Sequence, residues 1–418
     1  MNKIERLIYN TVKNNVELKI FIKRIYQFFF SIVKPSAIIS SYKINYREGY
    51  FYGFHDKTPW SFSDKHMLAH KYSDATKGVP KKDDLVEVGY FKNGDLENYI
   101  ILDNTKSWNW QQGSMLQWLG EKEECIYNFW DGKETVSKIM NLKGELIKTL
   151  PFSIGTISND GVYAISYDFE RLNIGMYGYG YANETNNKSF DTTSPDNMGF
   201  TIYNIELDKK ISFKSINELN ENLGIRKFTK GFIFVTHFLF SPNNDRFFFL
   251  IRSYSAGKRL ESRLVSYDLN CQNIHIFSTG NMVSHLSWVN SNQVLAYCTD
   301  INENEGYFLF DDLCDKYVQI AKKDYSADGH PQYNNNNKLV VTDTYPDRRR
   351  LQELSVYDIH NKTKKIVGKY YSPLKFSEEY RSDLHPRWNH KGDKIAVDAT
   401  FSGKRSLGII DFGNENRK

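Results

Sequence analysis

Four histidines in the C-terminal half stand at one offset of a repeated phrase. Each is followed three positions later by an aromatic residue: His237-Phe-Leu-Phe-Ser-Pro-Asn-Asn-Asp, His285-Leu-Ser-Trp, His330-Pro-Gln-Tyr and His385-Pro-Arg-Trp. The chain has ten histidines, so four at one offset point to a shared task more than to four separate strand-capping roles. Neutral imidazole is a ready ligand for manganese, iron, nickel or zinc, and an imidazole left unligated can serve as a base. Two of the phrases read Asp328-Gly-His330-Pro and Asp383-Leu-His385-Pro. Residues two apart on a strand share a face, so each carboxylate either joins a ligand set or fixes the tautomer of its histidine; its bland role is in a turn.

The elements around these residues repeat as well. After each aromatic comes a polar turn and then an apolar run, Phe247 to Ile251, Val294 to Tyr297, Leu339 to Val341 and Ile395 to Val397, which is the pattern of a hairpin. A third strand follows at Arg263-Leu-Val-Ser-Tyr-Asp-Leu, Gly306-Tyr-Phe-Leu-Phe-Asp-Asp, Leu354-Ser-Val-Tyr-Asp-Ile and Ser406-Leu-Gly-Ile-Ile-Asp-Phe. Weaker copies begin at Trp60-Ser-Phe-Ser-Asp, Leu116-Gln-Trp-Leu-Gly and Ile157-Ser-Asn-Asp-Gly. Seven units at intervals of roughly 40 to 60 residues predict an all-β, seven-bladed β-propeller over residues 36–418, preceded by an N-terminal amphipathic helix within 1–35. The innermost strand of each blade lines the channel, so one repeat offset becomes a ring of side chains at one depth. Ser41-Tyr-Lys-Ile-Asn-Tyr has no blade of its own and is expected to supply the outer strand of the last blade, closing the ring. The polar stretch around Ser215 to Leu223 is the one place after Pro35 where a helix could intervene.

Composition narrows the function classes. With 28 Tyr, 28 Phe and 7 Trp the body is globular, and 55 basic against 50 acidic residues give no overall electrostatic case for nucleic acid. Cys125, Cys271, Cys298 and Cys314 show no CxxC pair, which fits a reducing cytoplasm. No P-loop, no G-x-S-x-G elbow and no nucleophilic cysteine setting is present. The run from Glu17 to Val33 is apolar but carries Lys19, Lys23 and Arg24. It is too charged to span a bilayer, and no small-residue cleavage site follows it. It reads either as an interfacial helix on the inner membrane face or as a helix packed on the propeller or a partner.

The Ser241-Pro-Asn-Asn-Asp and Asn159-Asp-Gly turns resemble WD40-like repeats of the TolB type. The histidine-bearing blades resemble more specifically the oligogalacturonate lyase family, a seven-bladed propeller with a divalent metal in its channel. That resemblance implies β-elimination from a uronate, with the metal on the substrate carboxylate and a base on the α-proton. It assigns His237 as candidate base and His285, His330, Asp383 and His385 as candidate ligands of a divalent metal, manganese first. Where the family carries a glutamine and paired histidines in its last ligand-bearing blade, this chain has Asp383 and His385.

Arg171, in Asp168-Phe-Glu-Arg, and Arg252 are candidates for holding an anionic sugar, against a surface ion pair as the bland role. His55, Asp56 and Trp60 of Gly53-Phe-His-Asp-Lys-Thr-Pro-Trp, with Asp328, are the candidate substrate-binding residues, Trp60 being equally placed to pack its blade. Tyr177-Gly-Tyr-Gly-Tyr181 and the polar insert to Asn197 read as a mobile loop, and Asp347-Arg-Arg-Arg350 as a solvated turn. The expected function is a metal-dependent lyase acting on an acidic oligo- or polysaccharide in the cytoplasm, peripheral to the inner membrane. The rival is a non-catalytic propeller that binds a glycan or protein partner during surface-polysaccharide assembly.

Overall fold

The computed structural model describes residues 35–413 except Lys77, 183–192 and Asn337, together with Leu18, Phe21, Ile22, Ile25, Gln27 and Phe28 ahead of them. Seven antiparallel sheets follow one another along the chain, each with an inner, second, third and outer strand. Blade one runs from Tyr50–Phe51 to Asn98–Thr105, blade two from Gln117–Trp118 to Leu146–Leu150 and blade three from Thr156–Ile157 to Lys209–Ser215. Blade four holds Phe232–Phe240, Arg246–Tyr254, Glu261–Asp268 and Ile274–Ile276; blade five Thr279–Asn290, Gln293–Asp300, Glu305–Asp311 and Tyr317–Ile320. Blade six holds Gln332–Asn334, Leu339–Asp343, Leu351–Asp358 and Thr363–Tyr371, and blade seven Arg387–Trp388, Lys394–Ala399 and Ser406–Asp411. The expected propeller is the fold of the chain.

Burial follows from the stacking of sheet against sheet. A second strand is covered on both faces by neighbouring blades, so it is a near-continuous apolar run: Arg246–Tyr254 is buried at every position but the last. Outer strands face solvent on one side, and Asn98–Thr105 is buried only at Thr105. One tight turn recurs between inner and second strands. Ser241 N donates to Arg246 O at 2.8 Å and Asn244 N to Ser241 O at 2.9 Å, and the same pair of bonds joins Ser61, Asp64 and His66, Ser158, Gly161 and Tyr163, and Asn389, Gly392 and Lys394. Its fourth residue needs positive φ, supplied by Asp64, Gly161, Asn244 and Gly392.

The ring closes as expected. Ile44–Glu48 pairs antiparallel with Ser406–Asp411, from Ile44 opposite Ile410 to Glu48 opposite Ser406, which makes the first segment of the propeller the outer strand of the last blade. A strand not foreseen, Ile38–Ser40, adds a fifth member to blade six against Thr363–Tyr371. The polar stretch forms a helix, Ile216–Asn222, capped by the Ser215 side chain accepting from Glu218 N. A second helix, Phe169–Gly175, was not expected.

Two local expectations change. Tyr177 is 61% exposed, but Tyr179 and Tyr181 are buried, Tyr181 stacked on Phe169 with ring centroids 4.6 Å apart, so the stretch is packed against the body from Tyr179 onward and not an open loop throughout. Residues 183–192 of the adjoining insert lie outside the described residues. In the charge run, Asp347, Arg348 and Arg349 are exposed, but Arg350 is buried and donates to Ser372 O and Phe376 O. Of the N-terminal helix, the six described positions are helical and the remainder lies outside the described residues. Among the described residues no helix is long and apolar enough to cross a membrane.

Candidate functional site

The four offset histidines come from four consecutive blades. His237 and His285 sit at register breaks within the inner strands of blades four and five, and His330 and His385 stand two residues ahead of the inner strands of blades six and seven. His237 and His385 have φ of 59° and 43°, a conformation that non-glycine residues adopt at a cost. Ring centroids of His285 and His330 are 4.1 Å apart, and those of His330 and His385 are 4.3 Å apart. The Phe54 ring stands inside the arc, 5.1 Å from both His237 and His385. His55 joins from blade one, 5.4 Å from His330 and 5.6 Å from His285.

Blade seven clamps the Gly53-Phe54-His55 segment. Arg387 Nη2 donates to Gly53 O at 2.6 Å and to Asp398 Oδ2 at 2.7 Å, while the Asp398 carboxylate accepts from Tyr52 N and Gly53 N at 3.0 and 2.9 Å. Gly53 has φ +127°, and a Cβ there would lie 2.8 Å from the Gln112 carbonyl carbon, so no other residue fits without backbone movement.

Hydrogen bonds set the tautomers. His330 Nδ1 is 2.7 Å from Asp343 Oδ1, and His385 Nδ1 is 2.9 Å from Gly53 O. A carboxylate and a carbonyl only accept, so both Nδ1 atoms carry hydrogen, and in the neutral ring both Nε2 atoms keep a lone pair. Asp383 Oδ2 accepts from Arg381 Nε at 2.7 Å, leaving Oδ1. His330 Nε2, His385 Nε2 and Asp383 Oδ1 are all buried without a hydrogen-bond partner, and ligand atoms of these three residues lie within 4.8 Å of one another. One unsatisfied buried polar atom costs about 1–3 kcal/mol; three converging lone-pair donors fit a divalent cation, and a mixed nitrogen and oxygen set suits manganese, iron or zinc.

The remaining expected residues separate into those at the channel and those elsewhere. His285 Nδ1 faces Asp328 Oδ1 at 3.1 Å, and Asp328 Oδ2 accepts from Ser284 Oγ at 2.6 Å, so Asp328 orients His285. Arg252 is buried, donating to Val283 O at 3.0 Å and to the Met176 sulfur, with Nε buried and unpartnered. Burial draws its pKa down to about 10, and among the described residues it forms no ion pair. Asp56 pairs with Lys57. Arg171 is anchored at blade four, donating to Ile233 O at 2.7 Å and Thr193 O at 2.9 Å, with its guanidinium over Phe232. Trp60 is wholly buried in the packing of blade one with Met67 and Phe91 and offers no surface to a ligand. A cavity of about 560 Å³ between blades two and three, lined by Trp130, Phe152, Asp168 and Phe213, contains none of the channel histidines.

Burial, then the neighbouring imidazoles, holds His55 and His385 well below the ordinary imidazole value; for His237 burial and then the Arg252 charge do so. These rings are neutral at physiological pH. At His330 burial pulls downward, but the Asp343 carboxylate outweighs it and the pKa lies above the ordinary value.

Four contributors escaped the sequence reading: Asp343, Arg381, Tyr179 and Tyr345. Asp343 accepts from His330 N and Nδ1 and from His385 N. Arg381 bridges Asp383 and the Tyr179 hydroxyl, each at 2.7 Å. Tyr345 stands 5.4 Å from His330. One signal was present for Asp343, because the ends of the second strands carry Arg252, Asp300, Asp343 and Asp398, at a nearly fixed distance after the four histidines.

The fold and the histidine ring together define a seven-bladed propeller with a polar, histidine-rich channel. Oligogalacturonate lyase from Vibrio parahaemolyticus aligns with it at TM-score 0.60 and 9% identity, over 92% of this chain and all of that one. The β-propeller domain of the Trilobed protease from Pyrococcus furiosus aligns at TM-score 0.51 and 8% identity, over 88% of this chain and all of that one. TolB from Acinetobacter baumannii aligns at TM-score 0.39 and 10% identity, over 84% of this chain and 82% of that one. For the first two, at 9 and 8% identity, the likeness is one of fold. No protein-family model matches the chain, and no curated protein matches its sequence.

Proposed function

We propose that the chain is a metal-dependent lyase that cleaves an acidic, uronate-containing glycan by β-elimination. The observation that carries this reading is that His330, His385 and Asp383 bring ligand atoms within 4.8 Å of one another while His330 Nε2, His385 Nε2 and Asp383 Oδ1 are buried without hydrogen-bond partners. A divalent cation held there would supply positive charge to a uronate carboxylate, which makes the adjacent C–H more acidic. Arg252, a buried guanidinium with an unused N–H and no ion-pair partner among the described residues, is the group to orient an anionic sugar. His237 is held neutral and takes the α-proton; the electron pair of that C–H bond becomes the new double bond as the glycosidic C–O bond at the β carbon breaks, and the departing sugar oxygen keeps the bonding pair and takes a proton from water. The solved propeller of highest TM-score reported above carries the name of such a lyase.

A second reading, a propeller that binds a glycan or partner without turnover, draws on Phe54. Its ring stands between His237 and His385, inside the space a sugar would enter.

Elemental analysis of the purified protein and of a His330→Ala, His385→Ala double variant tests the first reading. The expected result is near-stoichiometric manganese, iron or zinc that the double variant lacks, and ultraviolet absorbance of unsaturated uronate on incubation with acidic glycans. His237→Gln should keep the metal and lose turnover by roughly 100-fold or more. A protein that takes up no divalent ion after soaking, or a His237→Gln variant of full activity, sinks the lyase.

A further inference from the structure

Charge is not spread evenly along this chain. Residues 1–34 contain seven lysines and arginines against two glutamates, and the rest carries 48 of each sign, so the whole excess of +5 belongs to the N-terminal segment. The same segment exposes a stripe of large apolar side chains. Leu18, Phe21, Ile25 and Phe28 recur at helical spacing and are 44, 60, 44 and 58% exposed. Four such residues on one face are more than the scattered apolar exposure of an ordinary surface.

Gln27, roughly opposite that stripe, ties the helix to the body. It is 5% exposed, and its side-chain oxygen accepts from Arg350 Nη1 at 3.2 Å. Arg350 ends the loop 344–350 between the second and third strands of blade six, and Tyr345 near the start of that loop reaches the histidine cluster. In an antiparallel blade this loop lies on the same face as the connections from one blade to the next, which carry Asp328, Arg381 and Asp383. On that face the side chains of Asp328 and Arg381 are 21 and 28% exposed.

We infer that the N-terminal helix is a peripheral anchor: it lays Leu18, Phe21, Ile25 and Phe28 into an anionic phospholipid bilayer and holds the propeller beside it through the Gln27–Arg350 contact. An apolar face with a concentrated positive charge, beside a body of zero net charge, is complementary to acidic headgroups over an acyl boundary. The inference rests on none of the chemistry proposed above.

Co-sedimentation of the full chain with vesicles of phosphatidylcholine, with and without phosphatidylglycerol, tests it. The expected result is binding to the phosphatidylglycerol vesicles that weakens in high salt, and that drops by roughly tenfold or more on plain phosphatidylcholine or in a Phe21→Ser, Phe28→Ser variant. Both positions are exposed, so the variant should keep the melting temperature and metal content of the parent, which separates failure to bind lipid from failure to fold. A Lys19→Gln, Lys23→Gln, Arg24→Gln variant should lose the preference for anionic vesicles. No vesicle binding, equal binding to both compositions, or unchanged binding by the serine variant overturns the inference. So does a parent protein that is dimeric without lipid and becomes monomeric on the serine substitutions, because the stripe then belongs to a second copy.

Discussion

Asp343 holds two of the candidate ligands at once. Its Oδ1 takes the backbone and ring N–H groups of His330, and its Oδ2 takes the backbone N–H of His385 at 3.1 Å. A single carboxylate thus fixes the ring of one histidine and the chain path into the other, which is a positioning task typically worth 10- to 100-fold in metal affinity. Asp343→Asn replaces one acceptor oxygen by a donor that faces another N–H. The variant is expected to lose about 1–3 kcal/mol of stability and about 10- to 100-fold in affinity for manganese or zinc, read by thermal melting and by metal titration. Parent-like affinity in a folded Asp343→Asn protein would falsify the positioning assignment. The histidines themselves were legible because the repeat aligned them. Arg381, Tyr179 and Tyr345 were not, because each sits in a loop where no repeat offset marks it and reaches the channel only through folding.

At the scale of elements, the closure of the ring is the most exposed expectation. Ile44–Glu48 makes five residue pairings with Ser406–Asp411 and covers the edge that blade seven would otherwise present to solvent. Deleting residues 36–47 removes most of this strand and also Ile38–Ser40 from blade six. The deleted protein is expected to be insoluble or to melt in a broad, lowered transition; a soluble, cooperatively folded product would show that the closure is dispensable. Strands were legible because their apolar runs and turns recur. The helix Phe169–Gly175 was not: its seven residues span about two turns, too few to display a helical period, and it lacks the polar run that marked the equally short Ile216–Asn222. Its start is nonetheless written locally, with Asp168 accepting from Arg171 N at the cap. Trp60 illustrates the limit of composition: an aromatic beside polar residues suits a sugar platform and a blade core equally well, and only its complete burial assigns it to the core.

For the molecule as a whole, buried imidazoles make stability depend on pH. Burial is the largest cause of the lowered pKa at His55, His70 and His237, bringing His70 to about 3. In the unfolded chain such groups protonate near 6.5. From about pH 6.5 downward, through the value of about 3 for His70, the unfolded chain therefore binds more protons than the folded one, and stability falls with acidification. Each imidazole contributes up to about 1.4 kcal/mol per pH unit within its window. Metal-free protein is expected to melt at a clearly lower temperature at about pH 5.5 than at about pH 7.5; a level or rising melting temperature contradicts the burial of neutral histidines.

The sequence by itself determined the number of blades, the strand that closes them and the four histidines on consecutive blades, because these depend on a repeat whose period and turn chemistry are local. Which of those side chains offer free lone pairs was decided only in three dimensions. It depends on Asp343, Gly53 and Arg381, which lie 13 residues or fewer from their partners in two cases and 332 in the third, and on Phe54, which blade seven presses into the centre of the ring. Hydrogen-bond geometry and burial are properties of surfaces brought together by the closed ring, and no spacing within one blade encodes them.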